Sequence, residues 1–376
     1  MKYLGFIFII LLYFGANIYV FYRIWQAMPP NFIGRIILIG FAVISVFSFF
    51  ISFLLGDSMP VGLSSFLYKW GTSWLFILIY FFIVFLVKDL IGLVNHFLHF
   101  MPDDAISRYT KDNWVGLGFM VGFIGLLMFC GYLKYQWKVR VDVPVYTQKS
   151  LGAKDSLKII AISDLHLGYG IGEGELKKWV EMINAEDPDV VLIAGDLIDN
   201  STRPLNEGKF AEYLNGIKAK NGVYMCMGNH EYISGLSQSL EFLKKTNINL
   251  LRDSYVEIDS SFYIVGREDK SNPDRKPLKE IVAGLDKSKP IILLDHQPYN
   301  LEESEECGID IQFSGHTHQG QVWPISMITK AIYEIDHGHI KKGNTDVYVS
   351  SGIGIWGGKF RIGTQSEYVV INMMKQ

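Results

Sequence analysis

Four apolar stretches in the first 135 residues limit what this chain can fold into more than any other feature. Residues 4–21, 36–55, 70–87 and 114–132 each approach the roughly 20 residues needed to span the hydrocarbon core of a bilayer, and none contains Asp, Glu, Lys or Arg. A water-soluble all-α core would have to bury all four runs on every side. Four such runs joined by short loops point instead to a transmembrane region of four helices, residues 1–135, followed by a different kind of unit, residues 136–376. Aromatic residues at several ends suit the membrane interface. The third stretch is expected to run on past Lys88-Asp89 through residues 90–100 as a longer tilted or interfacial helix. The first lacks a small-x-small cleavage site, which favours an uncleaved helix over a signal peptide.

Composition carries the same division. Hydrophobic residues make up 49% of the chain and charged residues only 19%, with 20 Tyr and with 25 Phe that are concentrated before about Tyr135. The net charge of −3 gives no nucleic-acid footprint. The three cysteines, Cys130, Cys226 and Cys307, are too few and too scattered for a disulfide framework or a cysteine zinc site. An even number of spans puts the amino terminus and the second unit on one side of the cell membrane. Lys2, Lys69, Lys134, Lys138 and Arg140 fall on that side, against Arg23, Arg35, Arg108 and Lys111 on the other, so charge counting leans towards a cytoplasmic second unit. His96 and His99 read as interfacial histidines near the end of a span rather than as ligands, with Asp103 and Asp104 solvated. The span centres carry no charge, which suits an anchor, or a platform for reaching a lipid, better than a transport pathway.

The second unit carries the chemistry. Val139, Val141, Val143 and Val145 alternate with Arg140, Asp142, Pro144 and Tyr146, the period of an edge strand. Beyond them, short apolar runs of the kind that form buried strands alternate with more polar helical segments, expected at residues 173–185 and 209–217. Five runs end in polar loops. Residues 157–163 lead to Asp164-Leu-His166, and 190–194 lead to Gly195-Asp196-Leu-Ile-Asp199. Residues 222–227 lead to Gly228-Asn229-His230-Glu231, 290–294 to Asp295-His296, and 309–314 to Gly315-His316-Thr317-His318. Open α/β sheets place their sites beyond the carboxyl ends of strands. Glycine before Asp196, Asn229 and His316 allows the close backbone approach such loops need. Singly, these residues have duller explanations: a turn cap for Asp196, an Asx-turn for Asn229, a satisfied core histidine for His296. Five such loops in one chain outweigh them. Together they offer Asp164, His166, Asp196, Asn229, His296, His316 and His318, more ligands than one ion needs, and of the nitrogen and oxygen types that suit Mn²⁺, Fe²⁺ or Zn²⁺.

The order D-x-H, G-D, G-N-H-E, H, G-H-T-H resembles the calcineurin-like metallophosphoesterases from about Val139 to the end of the chain. Gly315–Pro324 and Tyr348-Val-Ser-Ser-Gly-Ile-Gly354 look most like the bacterial branch related to YkuE and YaeI. The resemblance implies a two-sheet β sandwich flanked by helices and two divalent metal ions. It further implies that Asp164, His166, Asp196 and His318 hold the first ion, and that Asp196, Asn229, His296 and His316 hold the second. His230 would act on the substrate phosphate and leaving group. Gln319 stands where relatives often carry glycine, and Gln365-Ser366-Glu367 where many carry Pro-Glu; neither removes a ligand.

Two divalent ions clamping the attacking and leaving oxygens make hydroxide available near neutral pH, so the expected activity is hydrolysis of a phosphoester, chiefly a phosphodiester. Joined to a membrane region, the sharper expectation is a phospholipid or lipid-linked pyrophosphate; a soluble nucleotide or simple diester is the plainer one. A non-catalytic scaffold would have lost some of these ligands, and a transporter would carry polar residues inside its spans. Gly352-Ile-Gly354-Ile-Trp-Gly357 matches G-x-G-x-x-G but lacks the following helix and acidic residue of a dinucleotide site; it is expected to line the metal site at most. His337-Gly-His339 reads as a solvated loop rather than an accessory metal site.

Overall fold

The computed structural model describes residues 2–102, 104, 113–152 and 154–375, so Asp103, Arg108 and Lys111 lie outside the described residues. These form two compact units, Met1–Gly131 and Tyr132–Gln376.

The first unit is built on α1 (Lys2–Ala27), α2 (Phe32–Leu55), α3 (Val61–Leu98) and α4 (Trp114–Gln136), whose last turn belongs to the second unit. All four are long and apolar enough to cross a membrane. The helices outrun the apolar stretches because local stop signals, not charges, end them. The Asn31 side chain caps α2 by accepting from the Ile33 and Gly34 amides. Pro60 precedes α3, and His99 closes α3 in a left-handed conformation. Lys69, expected in a loop, therefore lies inside α3, which also continues past Lys88-Asp89 as one helix. His96 is helical while His99 is its cap, so the two histidines do not share a helical run. Close approach and polar pairs join the helices, as expected where lipid removes the hydrophobic drive between them. A Cβ on Gly71 of α3 would stand 2.3 Å from the Phe49 nitrogen of α2. Trp74 Nε1 donates to Asn17 Oδ1 of α1 at 2.8 Å, and Tyr13 Oη donates to the Val46 carbonyl at 2.9 Å.

The second unit stacks two six-stranded sheets. One contains β1 (Lys138–Thr147), β2 (Ser156–Ile162), β3 (Val190–Ala194), β4 (Val223–Cys226), β5 (Ile248–Leu251) and β12 (Ser366–Lys375), in the order β1-β12-β2-β3-β4-β5. The other contains β6 (Ser254–Ile258), β7 (Phe262–Gly266), β8 (Ile291–Leu294), β9 (Ile311–Ser314), β10 (Gly338–Lys342) and β11 (Thr345–Val349), in the order β10-β11-β9-β8-β7-β6. The valine-rich β1 is an edge strand, and β12 is inserted between it and β2. The helix expected at 209–217 is Phe210–Asn215, preceded by a further short helix, Arg203–Glu207.

Side-chain alternation builds the layers. On β2 and β3, Ile159, Ala161, Leu192 and Ala194 face the second sheet, where they meet Ile264, Ile292, Leu294 and Phe313. Ile160, Ile162, Val191 and Ile193 face the other way, against Trp179 and Ile183 of the Glu173–Ala185 helix. Leu278, Ile281 and Leu285 cover the outer side of β7 and β8. Burial on both faces is why these strands read as continuous apolar runs, and the result is the sandwich flanked by helices. Because β2, β3 and β4 are mutually parallel, as are β8 and β9, five carboxyl ends open into loops that can meet. Phe313 is fully buried between the sheets, stacked on Tyr348 at 6.0 Å. Phe313→Ala should cost this unit about 3–5 kcal/mol, measurable as a loss of amide hydrogen-exchange protection in β8 and β9.

Candidate metal centre

The loops after β2, β3, β4, β8 and β9 bring all eight sequence-predicted site residues into one site. Left-handed backbone turns the ligand-bearing residues inward: φ is 55° at Asp164, 47° at His166, 52° at Asp196, 72° at His316 and 50° at His318. Non-glycine residues seldom adopt this region, and clusters of them mark functional sites. The loops also touch closely. A Cβ on Gly228 would lie 2.2 Å from Asp196 Oδ1, and one on Gly315 would lie 2.3 Å from Asp164 Oδ2, so glycine is required at both.

Two groups of donor atoms adjoin at Asp196. Asp164, His166 and His318 form the first; His166 Nε2 and His318 Nε2 are 3.1 Å apart, and Asp164 Oδ1 is 3.9 and 3.6 Å from them. Asp196, His296 and His316 form the second. There Asn229 Oδ1 lies 2.8 Å from His316 Nδ1 and 3.2 Å from His296 Nε2. Asp196 Oδ2 stands between the groups, 3.1 Å from His296 Nε2 and 3.7 Å from His166 Nε2. Ligands about 2.0–2.1 Å from a metal ion sit roughly 2.8–3.4 Å from one another along octahedral or tetrahedral edges. The second group, at 2.8–3.2 Å, and the His166–His318 pair, at 3.1 Å, have such edge lengths, while Asp164 stands wider at 3.6 and 3.9 Å.

Electrostatics follow from enclosure. Burial works against the charged form of Asp196, yet His296, His230 and His166 hold its carboxyl well below the usual range. Asp164 is raised by burial, with Asp196 adding to it. Burial, His166 and Arg361 together press His318 well below the ordinary imidazole value, and burial with His296 lowers His316 to about 4. A neutral imidazole is the form that ligates a metal.

His230 lies beside the first group, its ring 4.5 Å edge-on from that of His166. Its backbone amide donates to Asp196 Oδ1 at 2.9 Å, and its Nδ1 donates to the Asp199 carbonyl at 2.7 Å, leaving Nε2 unengaged by that bond.

Four further residues had no role assigned from the sequence. Asp199 places Oδ1 3.4 Å from His166 Nδ1 and 3.5 Å from His230 Nδ1, behind both imidazoles; its signal was the three-residue step from Asp196. Glu231 is buried and accepts from the amides of Asp196, Ile198 and Gly228 at 3.0, 3.0 and 2.8 Å. Burial and Asp196 push it up to about 7, against the pull of the Ile198 and Gly228 amides. Half a capping box, glycine then glutamate three residues on, was the legible sign. Arg361, buried, donates to the carbonyls of His318 (2.7 Å), Ser351 (2.5 Å) and Gly354 (3.1 Å). Glu367 accepts from Tyr348 Oη and the Ser351 amide. Arg361 and Glu367 thereby fix the loop containing Gly352, where a Cβ would meet Asp164 Cβ at 2.9 Å. The glycine-rich stretch lines the site and leads into no helix. His337 and His339 face different carboxylates, Glu367 at 2.9 Å and Asp346 at 2.8 Å. They share no metal site, and His339 lies on β10 rather than in a loop.

The sequence model of the calcineurin-like phosphoesterases matches residues 157–320. The chain is 37% identical to an uncharacterized metallophosphoesterase of Campylobacter jejuni over 58% of its own length and 60% of that protein's. It is 31% identical to an uncharacterized metallophosphoesterase of Helicobacter pylori, over 74% of each chain. A transmembrane protein with metallophosphoesterase domain from Danio rerio is 31% identical over 63% of this chain and 57% of its own. The match thus spans less than two thirds of the Campylobacter and Danio proteins.

Glu231→Gln replaces a carboxylate that receives only N–H donors with a group carrying its own N–H. One buried donor then faces another whichever way the amide turns. The expected cost is about 1–3 kcal/mol, together with weaker divalent-metal binding by calorimetry because the Asp196 backbone loses its anchor.

Proposed function

The chain belongs to the calcineurin-like metallophosphoesterase family, and from that membership we propose that it is a membrane-anchored, two-metal phosphoester hydrolase acting on a phosphodiester. The observation that carries this reading is the position of Asp196 Oδ2 between two converging donor groups, 3.1 Å from His296 Nε2 and 3.7 Å from His166 Nε2, which supports a paired-metal site. Asp164, His166, Asp196 and His318 would hold one ion, and Asp196, Asn229, His296 and His316 the other. When bound, such ions supply charge stabilisation at the phosphoryl group and make hydroxide accessible near neutral pH; Mn²⁺ is the ion we would load first.

The protein's own residues do the remaining work. With Nδ1–H given to the Asp199 carbonyl, His230 keeps Nε2 for the phosphoryl oxygen and the departing alkoxide, where its imidazolium form would act as a general acid. Its amide steadies the Asp196 carboxylate at the same time. Glu231 and Arg361 hold the loop backbones so that the ligands are in place before metal arrives, and Gly352 lets the loop close behind Asp164. No serine or cysteine takes a nucleophilic role in this scheme.

Four membrane-capable helices in the same chain favour a substrate met at the bilayer, a phospholipid or lipid-linked pyrophosphate, over a soluble nucleotide. With Lys69 inside α3, Lys2, Lys134, Lys138 and Arg140 stand against Arg23, Arg35, Arg108 and Lys111, and charge counting favours neither side of the cell membrane.

The test uses the full-length protein in detergent with Mn²⁺, a chromogenic phosphodiester and the matching monoester. Metal-dependent diester turnover should fall roughly 10²–10⁴-fold in His230→Ala while two metals stay bound, whereas Asp196→Asn should lose both turnover and metal. Absence of metal binding, or turnover indifferent to either substitution, would overturn the reading.

A further inference from the structure

The helix Ile325–Ile332 begins five residues after the turn His318–Gly320 that carries one of the candidate ligands, and none of its residues is buried. Its apolar face is turned outward. Met327, Ile328 and Ile332 are 62%, 56% and 61% exposed, and Trp323, just before the helix, is 47% exposed. The polar side holds the helix to the protein instead. Thr329 Oγ1 donates to Asp336 Oδ2 at 2.7 Å, and Thr317 Oγ1, within the ligand loop, donates to the Asp336 carbonyl at 2.5 Å. Gly320 permits the approach, since a Cβ there would meet the Ser326 backbone at 2.5 Å. An ordinary surface helix buries its apolar stripe and shows water its polar one. This one does the reverse.

We propose that Trp323 and the Ile325–Ile332 helix form a docking face for the surface of a phospholipid bilayer, seating the metal centre against lipid-borne phosphoesters; the substrate half of this rests on the proposed hydrolase activity. Two features select a bilayer rather than another protein. First, α4, apolar enough to cross a membrane, ends at Gln136, and β1 of this unit starts at Lys138, so the unit is tethered directly to any bilayer that α4 spans. Second, a short amphipathic helix with tryptophan at one end and Lys330 on its flank has the composition of helices that lie in the membrane interface.

The surroundings grade from apolar to polar towards the metal centre. Tyr333, the residue after the helix, sets its ring 6.3 Å from His316 and 5.0 Å from Tyr299. Lys270 Nζ lies over the Tyr299 ring at 3.8 Å. An apolar face, an aromatic rim with one cation and then the ligands is the sequence of environments that an acyl chain, a headgroup and its phosphoester would occupy.

The experiment uses full-length protein, with Cys130→Ser and Cys307→Ser as background, in detergent and in nanodiscs of phosphatidylethanolamine and phosphatidylglycerol. A nitroxide is attached at Ile328→Cys or, as an exposed control, at Lys279→Cys. In discs the Ile328→Cys label should collide preferentially with lipid-soluble oxygen, and the control with a water-soluble nickel chelate. This readout needs no turnover, so it separates failure of docking from failure of the activity. Nickel-accessible labels at both positions in discs would overturn the proposal. Protection of Ile328→Cys in detergent as well would assign the face to a second copy or another protein, and would overturn it too. In the activity arm, Met327→Glu/Ile328→Glu/Ile332→Glu should slow hydrolysis of headgroup-labelled phosphatidylethanolamine in discs about tenfold or more, the weakening expected when buried apolar groups leave an interface. Turnover of the soluble diester should be unchanged. Equal loss on both substrates, or no loss on the lipid, would sink the substrate half.

Discussion

A carboxylate with almost no access to water has to be surrounded by positive or hydrogen-bonding groups, and Asp196 makes that demand of three neighbouring loops at once. His166 donates its amide to the Asp196 carbonyl, His230 donates its amide to the carboxylate, and Glu231 receives the Asp196 amide. His296 brings its imidazole to the other carboxylate oxygen. These contacts come from the ends of β2, β4 and β8, so the two sheets must be stacked with those ends adjacent before any of them can form. The sandwich core of Ile159, Leu192, Ile292 and Phe313 is what holds the ends there.

The same enclosure explains the backbone. Loops that crowd a shared carboxylate leave no room for Cβ atoms at Gly228 and Gly315, and they force the ligand-bearing residues themselves into left-handed conformations. Each such turn works against the chain's own preference by about 1–2 kcal/mol. The compensation lies in residues that never face the site: Arg361, satisfied by three backbone carbonyls, and Glu367, satisfied by Tyr348 and the Ser351 amide. Arg361 and Glu367 are charged groups used as splints.

What the sequence made legible was local. A strand buried on both faces is a continuous apolar run, so β2, β3, β4, β8 and β9 could be read, and the polar residues that end them stood out by contrast. Residues whose meaning depends on a distant partner could not be read. Asp199 matters because His166 and His230 arrive beside it, and Arg361 because the His318 and Gly354 carbonyls do. Likewise, nothing in Ser366–Lys375 announces that it slips between β1 and β2. The Ile325–Ile332 helix was hidden for a different reason. Its apolar spacing resembles any surface helix, and only the exposure of Met327, Ile328 and Ile332 reveals that the stripe faces outward.

The membrane-capable helices make the complementary point, that charge need not end an apolar span. Counting uncharged residues stopped the first stretch before Arg23, yet α1 continues to Ala27 because arginine does not break a helix, and α3 runs on through Lys88-Asp89 as expected. The charges drawn in are disposed of pairwise. Arg23 Nη1 meets Asp89 Oδ1, Tyr19 Oη donates to Asp89 Oδ2, and the Arg23 guanidinium lies 5.2 Å over the Phe85 ring. A lone charge at this depth would be costly in lipid, while a charge shared between helices costs less and fixes their relative height. The absence of charge from the four apolar stretches therefore described the stretches, whereas the helices use one ion pair to set α1 against α3.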